Sequence, residues 1–402
     1  MRRPEEVVGE RRERRNPLGA ALTVAALDAD PHPHLARLRR TEPVSWVPAL
    51  GAWLVTRRDL ALRVMRDPET FTVDDPRFST GRIVGRSMLN TDGAEHDRHR
   101  GPFAPPFRVG PVRRQFSTFV AAETDRLLDA VARDGECDLR RSLTGPLAAA
   151  VIGHAVGLGP SSTPSVLSWY ATIVEGVTRI TAGEPVPQAA RTAFGELREA
   201  VLAATDRGPG SSLVAAAVRG AGALDPEEAV PDAAVIMFGG IETTDAMIAN
   251  AVLHLLLHPD QAALVETEPD LLQNAIEESL RLEPAAAVID RYATRDVELD
   301  GAAIEAGEPV TISLAGANRD PAAFAEPDRF DVRRANARVH VAFAHGPHVC
   351  IGLHLARLEA RTAVARVLER LPALRLVEPR EAAPRGLVFR KPPVLRVRWD
   401  RS

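Results

Sequence analysis

Cysteine is nearly absent from this 402-residue chain: Cys137 and Cys350 are the only two, and they lie far apart. A disulfide scaffold is therefore excluded, and each thiol is free to be inert or chemical. A chain of this length buries a large core without covalent staples. Lysine is scarcer still. Lys391 stands alone, so nearly all of the 50 basic residues are arginine, interleaved with 54 acids to a formal net charge of −4. Such a surface offers no basic stripe, and with aromatics at 4% there is little on which to stack bases. Nucleic acid is excluded as a partner on these grounds. Long apolar runs are missing too, since none approaches the ~18 residues of a spanning helix. Arg14-Arg15 ahead of the apolar stretch Leu18 to Leu27 imitate a twin-arginine export signal. Against export, Glu5, Glu6, Glu10 and Glu13 break up the positive region, Asp28 and Asp30 close the run, and no small-residue cleavage site follows. These features predict a cytoplasmic protein with no membrane partner. Residues 1–15 read as a disordered charged tail.

What remains is an ordinary globular composition, 45% apolar and 26% charged. Length alone suggests two to three domains at about 150 residues each. No repeat, linker or composition break divides the chain, so 16–402 reads as one domain. Apolar residues at helical spacing predict helices near 58–66, 112–134, 139–157, 164–182, 187–206, 260–266 and 270–283. A long helix is expected over 231–258, opened by Pro231 at a permitted first-turn position and closed before Pro259. At 1.5 Å per residue it would extend roughly 42 Å. Strand signals are short: Val44 to Val47, Trp53 to Thr56, Val288 to Ala293, Val310 to Leu314, Leu387 to Phe389 and Val394 to Val397. The fold class is mainly α with small β-sheets. Irregular stretches at 67–92 and 315–350 are where function tends to collect.

The most informative segment is Phe343-Ala-His-Gly346-Pro-His348-Val-Cys350-Ile-Gly352, which runs into an amphipathic helix marked by Leu353, Ala356, Ala360, Val364, Val367 and Leu371. A cysteine just before a helix meets unpaired backbone N–H groups that favour the thiolate. Gly346 and Gly352 allow tight turning and close approach to a flat ligand. A thiolate held by amides suits a haem iron as axial ligand. A buried capping cysteine is the plainer alternative. Zinc is another, given His345, His348, Cys350 and His354, although zinc explains neither Phe343 nor the two glycines. Elsewhere, Gly239-Gly240 followed by Thr243-Thr244 contradict helix propensity inside the long helix. Either close helix packing or a ligand beside the backbone would account for them.

The cysteine segment resembles the haem-binding loop of the cytochrome P-450 family, F-x-x-G-x-H-x-C-x-G, at every fixed position. Further landmarks follow in order from Asp30-Pro31 to Arg398. The resemblance implies the triangular, mostly helical fold of the soluble bacterial members. It implies heme b, with Cys350 as the iron ligand and Phe343, Gly346 and Gly352 shaping the loop. Glu278-Ser-Leu-Arg281 resembles the family's E-x-x-R helix, and Pro327-Asp-Arg329-Phe330 its later arginine loop. Together they imply a structural ion cluster of Glu278, Arg281 and Arg329. His96 and Arg100 resemble the H-x-x-x-R pair; with Arg291 in Arg-Tyr-Ala and with His348, they are implied to hold the haem propionates. Arg98 and His99 find no counterpart, and Arg98 reads as a surface residue. Phe238 to Thr244 resembles the [A/G]-G-x-[D/E]-T-[T/S] motif. In that reading the glycines, Gly240 among them, open a groove beside the iron, Thr243 hydrogen-bonds dioxygen there, and Glu242 relays protons inward.

By the same resemblance the substrate site is walled by Thr80 to Leu89, residues 165–190, Val235 to Gly239, Ala285 to Ile289 and Leu387 to Phe389. Their apolar character favours a largely hydrophobic small molecule. Arg82 and Arg86 either face solvent or meet an acidic group on it. The expected function is a monomeric monooxygenase that hydroxylates such a substrate with dioxygen. Electrons would come from NAD(P)H through a separate ferredoxin and reductase. The arginine-rich, lysine-poor style suits high-GC actinobacteria, where many such enzymes tailor secondary metabolites. Oxidative cyclisation, coupling or desaturation is an alternative with the same cofactor. A non-catalytic haem sensor or carrier is another, although it would need no relay such as Glu242 and Thr243.

Overall fold

The computed structural model describes residues 12–159, 162–181, 184–205, 212–220 and 222–401. In chain order its longer helices are α1 (His32–Thr41), α2 (Arg58–Arg66), α3 (Gly93–Phe103), α4 (Val109–Val131), α5 (Gly145–Val156) and α6 (Thr163–Thr181). They continue as α7 (Gln188–Thr205), α8 (Pro226–Leu257), α9 (Pro259–Thr267), α10 (Leu271–Leu282) and α11 (Leu353–Arg370). The strands are β1 (Val44–Val47), β2 (Ala52–Val55), β3 (Phe71–Thr72), β4 (Glu136–Asp138) and β5 (Val288–Ala293). After these come β6 (Val297–Leu299), β7 (Ala302–Ile304), β8 (Pro309–Ser313), β9 (Arg375–Leu376) and β10 (Arg396–Arg398). Mainly helical with small sheets is the class expected.

Two compact units are formed. The first takes the chain up to Thr72, then Leu253–Cys350 and Arg380–Pro393. It holds a five-stranded sheet in the order β1-β2-β8-β5-β3, in which β2 and β8 are parallel. Successive side chains of a strand point to opposite faces. In β2, Trp53 and Val55 enter one apolar cluster with Leu60, Val64, Val310 and Ile312, whereas Leu54 enters another with Leu27, Leu35 and Leu38. Burial on both faces is why Ala-Trp-Leu-Val is a continuous apolar run without alternation. The β6–β7 hairpin turns on Asp300-Gly301, both at positive φ, a two-residue turn signal that the apolar pattern alone did not flag. No strand forms at 387–389; that stretch makes an isolated bridge from Phe389 to Ala286, and Ala287 N donates to Val388 O at 2.8 Å. Residues 1–11 of the expected tail lie outside the described residues. Arg12–Arg15 are helical, and Arg12 pairs with Glu305 (3.0 Å) and Glu308. The tail expectation fails for those four residues because Arg12 finds carboxylate partners.

The second unit takes Val73–Val252, Ile351–Pro379 and the chain from Val394. It contains most of the helices and a small antiparallel sheet in the order β4-β10-β9. Helices α4 and α11 are joined at their ends by Arg370, which bonds Asp125 and Asp129. The expected helix 139–157 divides into a π-helical turn, Arg140–Thr144, and α5. α8 starts earlier than Pro231, at Pro226. Asp225 N donates to Glu228 at 3.2 Å, so the true start signal is Asp-Pro-Glu-Glu, an N-terminal proline with a back-reaching glutamate. Pro231 then lies inside the helix.

Candidate active site

In the first unit the cysteine loop closes on itself, with Cys350 N donating to Phe343 O at 2.8 Å. Gly346 adopts φ +74°, and a Cβ there would stand 2.3 Å from Met65 O at the end of α2. Only glycine fits that combination. Gly352 is different: it caps α11 at φ −84°, so its backbone does not require glycine. His345 turns inward on its own loop, its Nδ1 accepting from Gly346 N at 2.7 Å. Phe343, His348 and Cys350 are all half-buried. In the second unit, burial pushes the thiol of Cys137 up to about 11, so it stays protonated.

Nearby in chain and unit, Glu278 and Arg281 are fully buried on α10 and joined by two hydrogen bonds of 2.7 and 2.9 Å. The third member of the cluster is Arg334. Its Nε donates to Glu278 at 2.8 Å, and its Nη atoms reach three backbone carbonyls. Arg329 contributes only its backbone carbonyl, which accepts from Arg281 and Arg334; its guanidinium is 58% exposed and faces Glu326. The expected role of the Arg329 side chain is thus corrected. Glu326 at φ +45° begins a turn that sends Arg329 outward and brings Arg334 back. Arg291 on β5 is buried, with Nη1 donating to Asp290 O at 2.7 Å.

In the second unit, His96 and Arg100 share one face of α3, His96 buried and Arg100 half-buried. Arg98 is an exposed residue that bonds Glu95 and Glu228. His99 is not on the surface. It is 3% exposed and its Nδ1 lies 2.7 Å from Asp232 of α8. On α8 the two glycines serve different ends. A Cβ on Gly240 would meet Ile152 of α5 at 2.7 Å, so that glycine permits close helix packing. Among the described residues, a Cβ on Gly239 would meet nothing within 4 Å. The open face is therefore at Gly239, whereas Gly240, expected to help open a groove, is packed against α5. Thr243, one turn on, donates its hydroxyl to Gly239 O. Glu242 is half-buried. Asp245 on this segment is buried and accepts from Arg140 at 2.7 Å and Thr144 at 2.5 Å. Sequence patterning missed it because its partners lie on a π-turn a hundred residues away.

Of the expected substrate walls, the first unit joins Ala285–Ile289 to 387–389 through the contacts above and through Arg390 N, which donates to Ala285 O at 2.9 Å. The second unit brings the 81–88 stretch to α6 and the start of α8. Ile83 lies 3.2 Å from where a Cβ on Gly176 would stand, and Met88 N donates to Asp232 at 2.7 Å. Arg86 is exposed and pairs with Asp74. Residues 182 and 183 lie outside the described residues.

The donor chemistry fits haem. One half-buried thiol stands on a loop pinned to backbone at Gly346, and the same unit carries the buried Arg291 and the half-buried His348, donors suited to carboxylates. Zinc does not fit, since among the described residues no three His, Cys, Asp or Glu side chains are grouped to hold a metal ion. Also among them, no helix is long and apolar enough to cross a membrane.

A protein-family model described as Cytochrome P450 matches residues 210–395. Cytochrome P450 monooxygenase PikC of Streptomyces venezuelae is 36% identical over 399 residues, covering 93% of this chain and 92% of that protein. The 20-oxo-5-O-mycaminosyltylactone 23-monooxygenase of Streptomyces fradiae is 35% identical over 356 residues, covering 86% and 83%. Among solved structures, CalO2 matches with a TM-score of 0.84 at 30% identity over 94% of this chain and 98% of that one. P450BioI, solved with a fatty-acyl carrier protein, matches at 0.83 and 28% identity over 92% and 99%. The pinned cysteine loop, the buried E-x-x-R pair and these likenesses agree: the chain belongs to the cytochrome P450 family and is a P450 monooxygenase, an oxidoreductase whose family implies haem.

Proposed function

We propose that this monooxygenase hydroxylates an apolar small molecule, using electrons passed from NAD(P)H through a separate ferredoxin and reductase in the cytoplasm, as a tailoring step of secondary metabolism. The relative named for position 23 of a mycaminosyltylactone supports insertion of oxygen at a carbon of an organic metabolite. The observation that carries the reading is the open face at Gly239, flanked along α8 by Val235, Ile236 and Phe238, with the Thr243 hydroxyl one turn away. Haem, when bound, supplies dioxygen activation.

Every other part of the reading belongs to the chain. Cys350 is the iron ligand, and Phe343, Gly346 and Gly352 shape its loop. Arg291, His348, His96 and Arg100 neutralise the propionates by charge-assisted hydrogen bonds. Thr243 already donates to Gly239 O, so toward the open side its oxygen accepts a proton donor until the hydroxyl turns. Glu242, half-buried beside it, reaches solvent and can replace the proton that Thr243 gives up. The apolar wall holds the substrate and keeps bulk water from competing.

Product and peroxide formed per NAD(P)H test this, with a supplied ferredoxin and reductase and a substrate found by spectral screening of metabolites. Thr243→Ala should consume NAD(P)H while product falls and peroxide rises. Glu242→Gln should slow the productive step by at most about 10²–10⁴-fold. Unchanged coupling in both variants would remove these residues from the mechanism.

A further inference from the structure

We propose that His99 and Asp232 are positioning residues that clamp the turn carrying Met88 and Leu89 onto α8 and so set how long substrate stays bound. The inference rests on the proposed role of the Thr80 to Leu89 stretch as a wall of the substrate site. Three elements converge on one carboxylate. Asp232 is completely buried; its Oδ1 accepts from Met88 N at 2.7 Å, and its Oδ2 lies 2.7 Å from His99 Nδ1 on α3. At about 100° per residue, Asp232, Gly239 and Thr243 fall within about 60° of one line along α8. The clamp therefore stands on the same side of the helix as the open face at Gly239, two turns before it.

Among the described residues the turn is hydrogen-bonded to α8 at one point. Ser87 N and Oγ both bond Asn90 Oδ1, Thr91 Oγ1 donates to Ser87 O, and Gly85 sits at φ +91° beside Pro231. These bonds make the turn rigid within itself. Met88 is 5% exposed beneath it and Leu89 37% exposed at its rim. The bond from Met88 N to Asp232 is the polar tie that fastens this small body to α8. Its strength depends on His99. A buried carboxylate needs its donors, and removing one leaves a charge desolvated without compensation. The hydrogen bond to Asp232 holds the His99 imidazole above its usual value, while burial pushes the Asp232 carboxyl up and the bonds from His99 and Met88 N oppose that rise; the two 2.7 Å contacts, rather than either shift, carry the clamp. Arg98 closes the outer edge, bonding Glu95 on α3 and Glu228 on α8, with Nη2 3.2 Å from His99 Nε2. At the surface that bridge adds little.

The test uses the haem-loaded enzyme and 4-phenylimidazole as a probe whose binding and release are followed in the haem absorption. Hydrogen exchange of the peptide spanning 85–91 reports the turn directly. His99→Leu and Asp232→Asn should each raise exchange there, and the probe's release rate, about tenfold or more. His99→Asn, which keeps a donor near Nδ1, should restore both toward wild type; a merely space-filling role would not be rescued this way. If Asp232→Asn does not fold, the two His99 variants decide. Unchanged exchange at 85–91 in His99→Leu overturns the clamp. Faster exchange with unchanged release overturns the proposal by separating the turn from the substrate site. Failure of the Thr243 coupling test would instead strike the oxygenation reading and leave these rates as they are.

Discussion

Glu359 offers a quantitative test of burial. It lies on α11, nine residues after Cys350, on the helix's buried stripe with Leu355, Ala360 and Ala363. Its side chain is 3% exposed, and one carboxyl oxygen, Oε2, has no hydrogen-bond partner among the described residues. Burial with no compensating cation pushes its carboxyl well above the usual range. In the unfolded chain it titrates at about 4.3. Between that value and the raised folded value the native state holds one proton more than the unfolded state, so stability falls as pH rises. The slope for one proton is at most about 1.36 kcal/mol per pH unit. From about pH 5.5 to about pH 7.0 the loss is therefore up to about 2 kcal/mol. Glu359→Gln keeps the shape and removes the titration. Whatever the amide costs in its own hydrogen bonding is the same at both pH values. Urea unfolding of both haem-loaded proteins at equal concentration, with unchanged m-values, should show the variant gaining by that amount on going to the higher pH. Parallel profiles, or a variant that loses ground at the higher pH, would mean that Glu359 is ionised in the fold and that the burial argument is wrong.

The corrected ion cluster separates two arginines five residues apart. Arg334→Gln should cost about 3–5 kcal/mol in urea unfolding, because the buried Glu278 loses one of its two cationic partners, whereas Arg329→Gln should stay within about 0.5 kcal/mol; equal effects would restore the original assignment. Cys350→His should abolish the strongly red-shifted carbon-monoxide band of the reduced protein, and a wild-type spectrum like that of a histidine-ligated globin would refute thiolate ligation.

Much of this was legible because short-range patterns are strong where one face is buried. Helix α2 and strands β1 and β5 fall where apolar spacing predicted them. The cysteine loop and the E-x-x-R pair were readable as motifs because their members are close in sequence. What escaped depends on rotation or on distance. Which of two adjacent glycines has the open face is decided by the angle at which α8 meets Ile152, and sequence does not contain that angle. Arg334 replaces Arg329 because a turn reverses the chain between them. Asp232, Asp245 and Glu359 are acids on helix faces that an apolar count treats as solvent-facing. The first two are buried because their partners come from elsewhere in the fold, and Glu359 because its stripe is rotated from the expected one.

The contact beneath Gly346 bears on how this protein can be recombined. With the Met65 carbonyl 2.3 Å from where a methyl group would begin, the loop and the end of α2 form a single interlocking part although nearly three hundred residues separate them. A graft that imports the cysteine loop from a relative with a different ending to that helix inherits a collision or a gap. One that imports both together keeps the seat intact. The heritable module is therefore discontinuous: crossover points that leave residues 58–66 and 343–350 with the same parent should give folded, pigmented chimeras far more often than those that divide them.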